Sequence, residues 1–474
     1  MALIKYRFKF LFILDLMCYV MSYPWFALLS LFVSCFWTTT EEGKSPGRKF
    51  LHYLVYAPIL GLIEIFTFPL AVFGYVLWVL ICNLFTIPDY AILSCPEEPS
   101  SKTKEENKNR YTFVSANLLL GIESLGKFQN MPFVYSRLVK IADSFQTISS
   151  QSEPICNKPI LEDPKITDEE LMDTSVMPQW PHVDFMCFQE VWDRFFTYKL
   201  VQSLYPEFKH FVVDVAHHSW KSNNYFGTSG LMIASRYPIM EVKFHVCRHK
   251  RYNTWQQPIC YGVIIAKVDL GHKKVGFIAN LHNVAYQAED DLIGPFMTEV
   301  QSEFNLFRQE YFEAGQTEAF AVICGDFNFD NLSPGDSSLQ CHPIFHQYSD
   351  YCMERPGVDK SWTVGTEHRQ LNIYETELSS PKAMKTMMVD HVKRRFFIID
   401  ADIKEQTLDL MYCQPKADDD GEVRSKIFGG RRRIDRILVD TKSCKSEVEG
   451  YQFLTCLAGQ SDHVPVALTL KCPY

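Results

Sequence analysis

The sequence predicts a layered α/β domain behind an apolar N-terminal region, and three observations carry that prediction. Hydrophobic residues crowd into two long stretches ahead of Tyr90. From Tyr111 onward, short β-rich apolar runs alternate with segments of helical spacing, the pattern of sheet and helix layers sharing a core. Polar residues recur at the ends of those runs, where such a fold assembles a site from distant parts of the chain.

The chain has 474 residues, 47% hydrophobic and 14% aromatic. That is enough for one large domain with an appendage, and far from the composition of a disordered chain. Its net charge of −9 argues against a nucleic-acid partner, because binding to a phosphate backbone rests on clustered Lys and Arg. The 15 cysteines show no CxxC spacing, no HExxH motif accompanies them, and no soft-ligand cluster is evident. Cys187 and Cys324 sit in apolar strand-like runs and read as reduced, buried thiols.

The first apolar stretch runs from Phe8 to Trp37 and the second from Phe50 to Phe85. Each exceeds the ~20 residues that a spanning helix needs. The second stretch, and the lack of a small-residue cleavage site after the first, argue against a cleaved signal peptide. Asp15 and Glu64 interrupt the stretches, and Pro24, Pro58 and Pro69 fall within them. A carboxylate at mid-membrane is costly and proline favours a bend, so re-entrant hairpins are preferred to two spanning helices. Lys5, Arg7 and Lys9 flank the start of the first stretch, and Lys102, Lys104, Lys108 and Arg110 follow the second. Both outer ends are therefore expected on the cytosolic side. The expected organisation is a membrane-associated region over 1–87, a polar tether over 88–110 and a catalytic domain over 111–474.

In that last region the expected strands are YTFVSANLLLG, VDFMCFQEVW, GLMIASRYPI, YGVIIAKVDL, VGFIANLH, AFAVICGDFNF, RIDRILVD and VPVALTLK. Several are continuous hydrophobic runs, as for strands buried on both faces. Met297 to Gln309 has helical spacing, whereas 148–180 and 412–430 read as loops.

Asn117 closes VSAN, Gln189 and Glu190 close FMCFQE, and His282 follows FIANL. Asp326 and Asn328 close AVICGDFN, Asp435 lies in RIDRI, and Asp462 and His463 precede the final strand. Oxygen donors such as Glu190 and Asn117 suit a hard cation, Mg²⁺ above all, which takes one or two carboxylates with water and substrate phosphate. Two histidines suit proton transfer and charge stabilisation. No GxSxG nucleophile motif is present, which leaves water as the attacking group.

The runs ending in QE, GDFNFD, RID and SDHVPV, in that order, resemble the endonuclease/exonuclease/phosphatase superfamily of the DNase I type. Within it, GDFNFDN, SGLMIASRYPI, GRRRID and the paired apolar stretches resemble the neutral sphingomyelinases. The resemblance implies a four-layer α/β/β/α sandwich preceded by a membrane-anchoring region. It also implies Mg²⁺-dependent hydrolysis of sphingomyelin to ceramide and phosphocholine, with Mn²⁺ as a substitute cation and anionic phospholipids as further partners. Glu190 would be the principal metal ligand, with Asn117 beside it and Asp462 as a further metal or water contact. His463 would be the general base, oriented by Asp435. His282 would stabilise the transition state at the phosphate, while Asp326 and Asn328 would position the water and the phosphate oxygens.

The chain departs from that family where relatives carry Thr-His-Leu and it has Leu281, His282 and Asn283, and where Val284 replaces a second histidine. Both changes bear on head-group choice. The competing readings are a phosphodiesterase of the same fold acting on lysophospholipid, inositol phosphate or nucleic acid, and a catalytically dead membrane scaffold. Arg431, Arg432 and Arg433 read as a solvated charge run or a contact for anionic lipid. Trp220 and Trp255 read as core residues, and His217, His218 and His368 as histidines without a catalytic part.

Overall fold

The computed structural model describes residues 2–4, 9–85, 90–94, 109–148, 154–213, 215, 228–247, 260–285, 291–407, 410, 412–415 and 421–473. His217, His218, Trp220, Trp255 and the flanking Lys5, Arg7, Lys102, Lys104 and Lys108 lie outside the described residues.

The first strands in chain order are β1 (Ala2–Ile4), β2 (Ala91–Ser94), β3 (Arg110–Leu120), β4 (Val176–Met177), β5 (Phe185–Val191), β6 (His210–Val213) and β7 (Met232–Ser235). They are followed by β8 (Ile239–Val246), β9 (Gly262–Gly271), β10 (Lys274–His282), β11 (Thr317–Asp326) and β12 (Ser349–Asp350). A short hairpin of β13 (Met353–Arg355) and β14 (Val358–Asp359) precedes β15 (Asp435–Val439), β16 (Glu447–Leu454) and β17 (Val466–Lys471). One sheet has nine strands in the order β1-β2-β6-β7-β5-β3-β17-β16-β4, and the other has six in the order β12-β15-β11-β10-β9-β8.

Side-chain alternation along the strands builds the layers. Tyr111 and Phe113 of β3, Phe185 and Cys187 of β5, and Phe320, Val322 and Cys324 of β11 share one core between the two sheets. Phe113 stacks on Phe185 at 5.0 Å and meets Phe320 edge-on at 4.9 Å. The alternate residues Val114, Ala116, Met186 and Phe188 face outward onto the helices Val134–Ser144 and Arg194–Leu204. On the other side, Ala321 and Ile323 face the helix Ile293–Tyr311. The result is the expected four-layer α/β/β/α sandwich. All eight expected strands are strands, and the helical spacing at 297–309 belongs to Ile293–Tyr311.

Three expectations are corrected. The stretches thought to be loops contain helices Lys158–Leu161, Asp168–Ser175 and Gly421–Ile427. The second of these is opened by a reciprocal capping box between Thr167 and Glu170, which satisfies backbone donors at its N-terminus. The segment expected to be a tether contributes β2, which pairs with β6 and so joins the nine-stranded sheet. The apolar stretches form unbroken helices, Lys9–Ser34 through Pro24 and Ala57–Leu84 through Pro69, in place of hairpins bent at proline. In apolar surroundings a broken helix leaves backbone groups without partners, so keeping the helix costs less than bending out of it. The two helices pack on each other at Gly74, where a Cβ would come within 2.7 Å of the Met21 side chain. Both are long and apolar enough to cross a membrane.

Candidate active site

Strand register places the polar termini side by side. β10 runs parallel to β11 and β15 antiparallel to it, so His282, Asp326 and Asp435 stand abreast. In the facing sheet, parallel pairing of β3 with β5 sets Asn117 beside Gln189. Glu190, the next residue, has φ +58°. This left-handed backbone is unfavourable for a residue with a Cβ, and it sits where the strand's alternation gives way to the site. Gly230 lies against it: a Cβ there would overlap the Trp192 ring and reach 3.1 Å from Glu190 Cα. Ser461, just before Asp462, donates its hydroxyl to the Asn117 carbonyl oxygen at 2.7 Å, which fixes the Asp462–His463 turn to the end of β3.

The functional groups converge. Asn117 Nδ2 donates to Glu190 Oε1 at 2.8 Å and to Asp326 Oδ2 at 3.1 Å, while its Oδ1 accepts from the Leu119 amide at 3.1 Å. His282 Nε2 lies 3.7 Å from both Glu190 Oε1 and Asp326 Oδ2. His463 Nε2 lies 3.8 Å from Asp326 Oδ2, and its Nδ1 is 2.9 Å from Asp435 Oδ2. Asp462 Oδ2 accepts from Gln370 Nε2 at 2.9 Å. Asn328, with φ +55°, donates its side chain to the Asn283 carbonyl at 2.9 Å and its backbone amide to Asp326 Oδ1 at 2.9 Å. It therefore braces the Asp326 turn and makes no contact with the other site carboxylates among the described residues.

Burial sets the electrostatics. The Glu190 carboxyl is pushed up to about 7, by desolvation first and then by the Asp462 charge. Asp326 is raised well above the usual carboxylate range, again by burial first, with His463 opposing. Burial, with a smaller contribution from His463, drives the His282 imidazolium down to about 3, so His282 is neutral. Burial also pulls His463 down, but Asp435, Asp326 and Asp462 outweigh it and the net shift is well upward. Raised carboxylates are the signature of buried negative charge short of a positive partner. Glu190, Asp326 and His463 each offer a donor atom within 4.8 Å of the others, and Asp462 Oδ1 is buried without a hydrogen bond. An oxygen-rich, charge-deficient set of this kind fits a divalent hard cation.

Several residues here had no signal in the sequence. Arg137 is buried, donates to the carbonyls of Leu119 at 2.7 Å and Gln460 at 2.8 Å, and brings positive charge toward Glu190 and Asp462. His368 is buried beside the site, its amide bonded to the Asp462 carbonyl at 2.8 Å. Tyr261 presents its ring edge-on to His282 at 6.1 Å. The arginine run, expected in solvent or on lipid, is buried instead. Arg433 pairs with Asp350 at 2.9 Å and Asp359 at 3.0 Å, Arg432 with Glu367 at 2.5 Å and Asp330 at 3.1 Å, and Arg431 caps the Lys360 carbonyl at 2.8 Å. The carboxylates of Asp330, Asp350, Asp359 and Glu367, drawn from separate strands and loops, neutralise it, which leaves no free anion-binding patch there.

Strand-end carboxylates, an amide and two imidazoles thus gather at the meeting edge of the two sheets of a DNase I-like fold. The chain belongs to the Endonuclease/Exonuclease/phosphatase family, whose pattern matches residues 134–463. It is similar to "Sphingomyelin phosphodiesterase 5" of Danio rerio, 32% identical over 302 residues, covering 61% of this chain and 53% of that protein. It is also similar to "Sphingomyelin phosphodiesterase 3" of Homo sapiens, 31% identical over 319 residues, covering 64% and 47%. The chain thus spans about half the length of these two curated relatives. A longer match, 24% identical over 473 residues, covers 95% of this chain and 90% of "Sphingomyelin phosphodiesterase 5" of Mus musculus.

Proposed function

We propose that this protein hydrolyses sphingomyelin to ceramide and phosphocholine at a membrane surface, by water attack in a Mg²⁺-dependent site. The observation that carries the proposal is the convergence of Glu190, Asp326, His282 and His463 around one point, with Asp326 Oδ2 3.7 Å from His282 and 3.8 Å from His463. The names of the relatives support the substrate.

Glu190 and Asp462 would hold the cation, with Asn117 tying Glu190 to Asp326. A bound Mg²⁺ would supply neutralising charge and polarise a phosphoryl oxygen. Asp435 occupies His463 Nδ1, which leaves Nε2 directed at the cleft to take the proton of the attacking water. The three carboxylates around His463 stabilise the imidazolium that results. His282, being neutral, acts as a hydrogen-bond donor to the phosphate and carries no charge to it. Asp326 and Asn328 form one braced turn that positions the water.

The N-terminal region is proposed to lie in the membrane surface. Asp15 pairs with Arg194 at 2.6 Å, Ser30 accepts from the Ser124 amide at 3.1 Å, and the Thr40 amide donates to Asn130 at 2.8 Å. A helix that touches one aqueous domain near its start, towards its end and just beyond it lies along that domain and does not cross a bilayer. Its partner helix exposes Phe66, Phe73 and Leu84, the apolar face of an in-plane anchor. This arrangement also answers the cost of Asp15, which is buried against an arginine, and keeps the catalytic domain on the cytosolic side.

The test is hydrolysis of labelled sphingomyelin, lysophosphatidylcholine and single-stranded DNA by the full chain, with and without Mg²⁺. Sphingomyelin turnover that requires the cation is expected. Full turnover in excess EDTA, or preference for DNA, overturns the proposal.

A further inference from the structure

A second cluster of metal-binding side chains lies outside the active site, where β8 faces the helix Ile293–Tyr311. Lys243, His245 and Cys247 are spaced by two and so share one face at the end of β8. Glu299 and Glu303 are spaced by four on the helix and share the face opposite. The two rows interlock: Lys243 meets Glu303 at 2.8 Å, and His245 Nε2 meets Glu299 Oε1 at 2.6 Å and its Nδ1 meets Glu303 at 3.6 Å. The Cys247 thiol is hydrogen-bonded to Glu299. One donor atom from each of His245, Cys247 and Glu299 lies within 4.8 Å of the others. Cys247 and Cys260 are both buried, and the Cys247 amide bonds the carbonyl of Tyr261 at 3.1 Å, which brings Cys260 to the same corner.

We propose that His245, Cys247, Cys260 and Glu299 form a structural zinc site. A thiolate, an imidazole and a carboxylate are the donors zinc takes in tetrahedral sites, with metal–ligand distances of about 2.0–2.3 Å that set ligand atoms roughly 3.5 Å apart. To reach that spacing the 2.6 Å contact of His245 with Glu299 opens by about an ångström as its proton is displaced, while the wider pairs, all within 4.8 Å, close. Mg²⁺ is the wrong ion here, since it takes oxygen ligands and retains its water. Glu303 is the weaker candidate for the fourth position because Lys243 already engages it, and Cys260 offers the softer donor. The ion would join the end of β8, the start of β9 and the adjacent helix, closing the base of the β8–β9 connection. Tyr261, next to Cys260 and bonded through its carbonyl to the Cys247 amide, is the residue whose ring faces His282.

The experiment is elemental analysis of the full chain purified in detergent after dialysis against a weak chelator, alongside Cys247→Ser, Cys260→Ser and Glu299→Gln. Stoichiometric zinc is expected in the unaltered chain and its loss in Cys247→Ser, with weaker retention in the other two. Replacement by Co²⁺ should give a thiolate-to-cobalt charge-transfer band that Cys247→Ser abolishes. If Cys247→Ser does not fold, the cobalt band of the unaltered chain and its change in Cys260→Ser decide the matter. Absence of zinc and of the cobalt band, zinc content unchanged by all three substitutions, or a Cys247–Cys260 disulfide in non-reducing peptide mapping overturns the proposal.

Discussion

Asp435→Asn isolates the pair on which the proposed proton transfer depends. Asparagine has nearly the same shape, and the Asp435 backbone is held independently, by the pairing of β15 with β11 and by the Thr366 hydroxyl, which its amide reaches at 3.1 Å. The fold should survive while the charge is lost. At 2.9 Å, an imidazolium and a carboxylate attract by about 6 kcal/mol at the effective dielectric constant of about 20 that suits protein sites. Only part of that is net, because the unprotonated state retains a hydrogen bond to either side chain. A loss of ~10²- to 10⁴-fold in kcat, about 2.7–5.5 kcal/mol in barrier, follows from the usual worth of positioned acid–base catalysis.

The pH profile supplies a second, signed readout. Carboxylates hold the His463 pKa up against burial, and a general base must be neutral to work. The rate should therefore rise with pH as His463 loses its proton. Removing the Asp435 charge lowers the His463 pKa, so the rising limb should move to lower pH while the plateau falls. KM for sphingomyelin should change little, since Asp435 touches His463 and not the cleft. Steady-state assays across pH on unaltered and substituted enzyme, with circular dichroism to verify folding, measure all three quantities. A normal kcat, or a rising limb that moves to higher pH, refutes the assignment of His463 as base and Asp435 as its orienter.

Two further outcomes are expected. Because the Glu190 carboxyl sits at about 7, protons compete with the cation, and apparent Mg²⁺ affinity should weaken by about tenfold per pH unit below that value and level off above it; Mg²⁺ titrations at a series of pH values check this, and affinity independent of pH in the acidic range contradicts it. In sealed vesicles, protease added on the cytosolic side should reach residues 111–474, and a glycosylation acceptor introduced beside Gly43 should stay unmodified; protection until detergent is added, or modification of that acceptor, eliminates the in-plane arrangement.

The parts of the fold legible in the sequence are those in which local pattern and tertiary environment agree. AFAVIC and FMCF are apolar throughout because both faces of their strands are buried, and the polar residues that follow them lie at the strand ends. β8 and β16 lack that continuous apolar signal: IMEVKFHV and EVEGYQFL carry charged or half-exposed residues between the apolar ones. Thr167 and Glu170 have the spacing of a capping box, but the segment around them is too polar for helical periodicity to register, and it reads as a loop. Arg137 and Gln370 reach the site through contacts with residues more than ninety positions away, Gln460 and Asp462, which spacing along a chain does not encode. The soft-ligand corner was hidden for the same reason. Its donors come from a strand, the start of the next strand and a helix, so no short motif betrays it.

The boundary expected at Tyr111 is one of composition and not of packing. Ahead of it, β2 supplies an outer strand of the nine-stranded sheet. Glu42, between the apolar helices, pairs at 3.0 Å with Lys127, whose ammonium is almost fully buried. Without Glu42 that charge would lack its carboxylate partner, a state that proteins avoid because desolvating an unpaired ammonium is so costly. Beside it, Thr40 bonds Asn130, Asn130 donates to the Gln370 carbonyl at 2.7 Å, and the Gln370 side chain holds Asp462 at 2.9 Å. Two residues, Asn130 and Gln370, thus separate the connector of the apolar helices from the Asp462 carboxylate of the candidate site, every link a hydrogen bond. The N-terminal helices and the sandwich share buried polar groups that neither satisfies alone, so on the proposed reading the face set against the membrane and the cleft are held in one fixed relation.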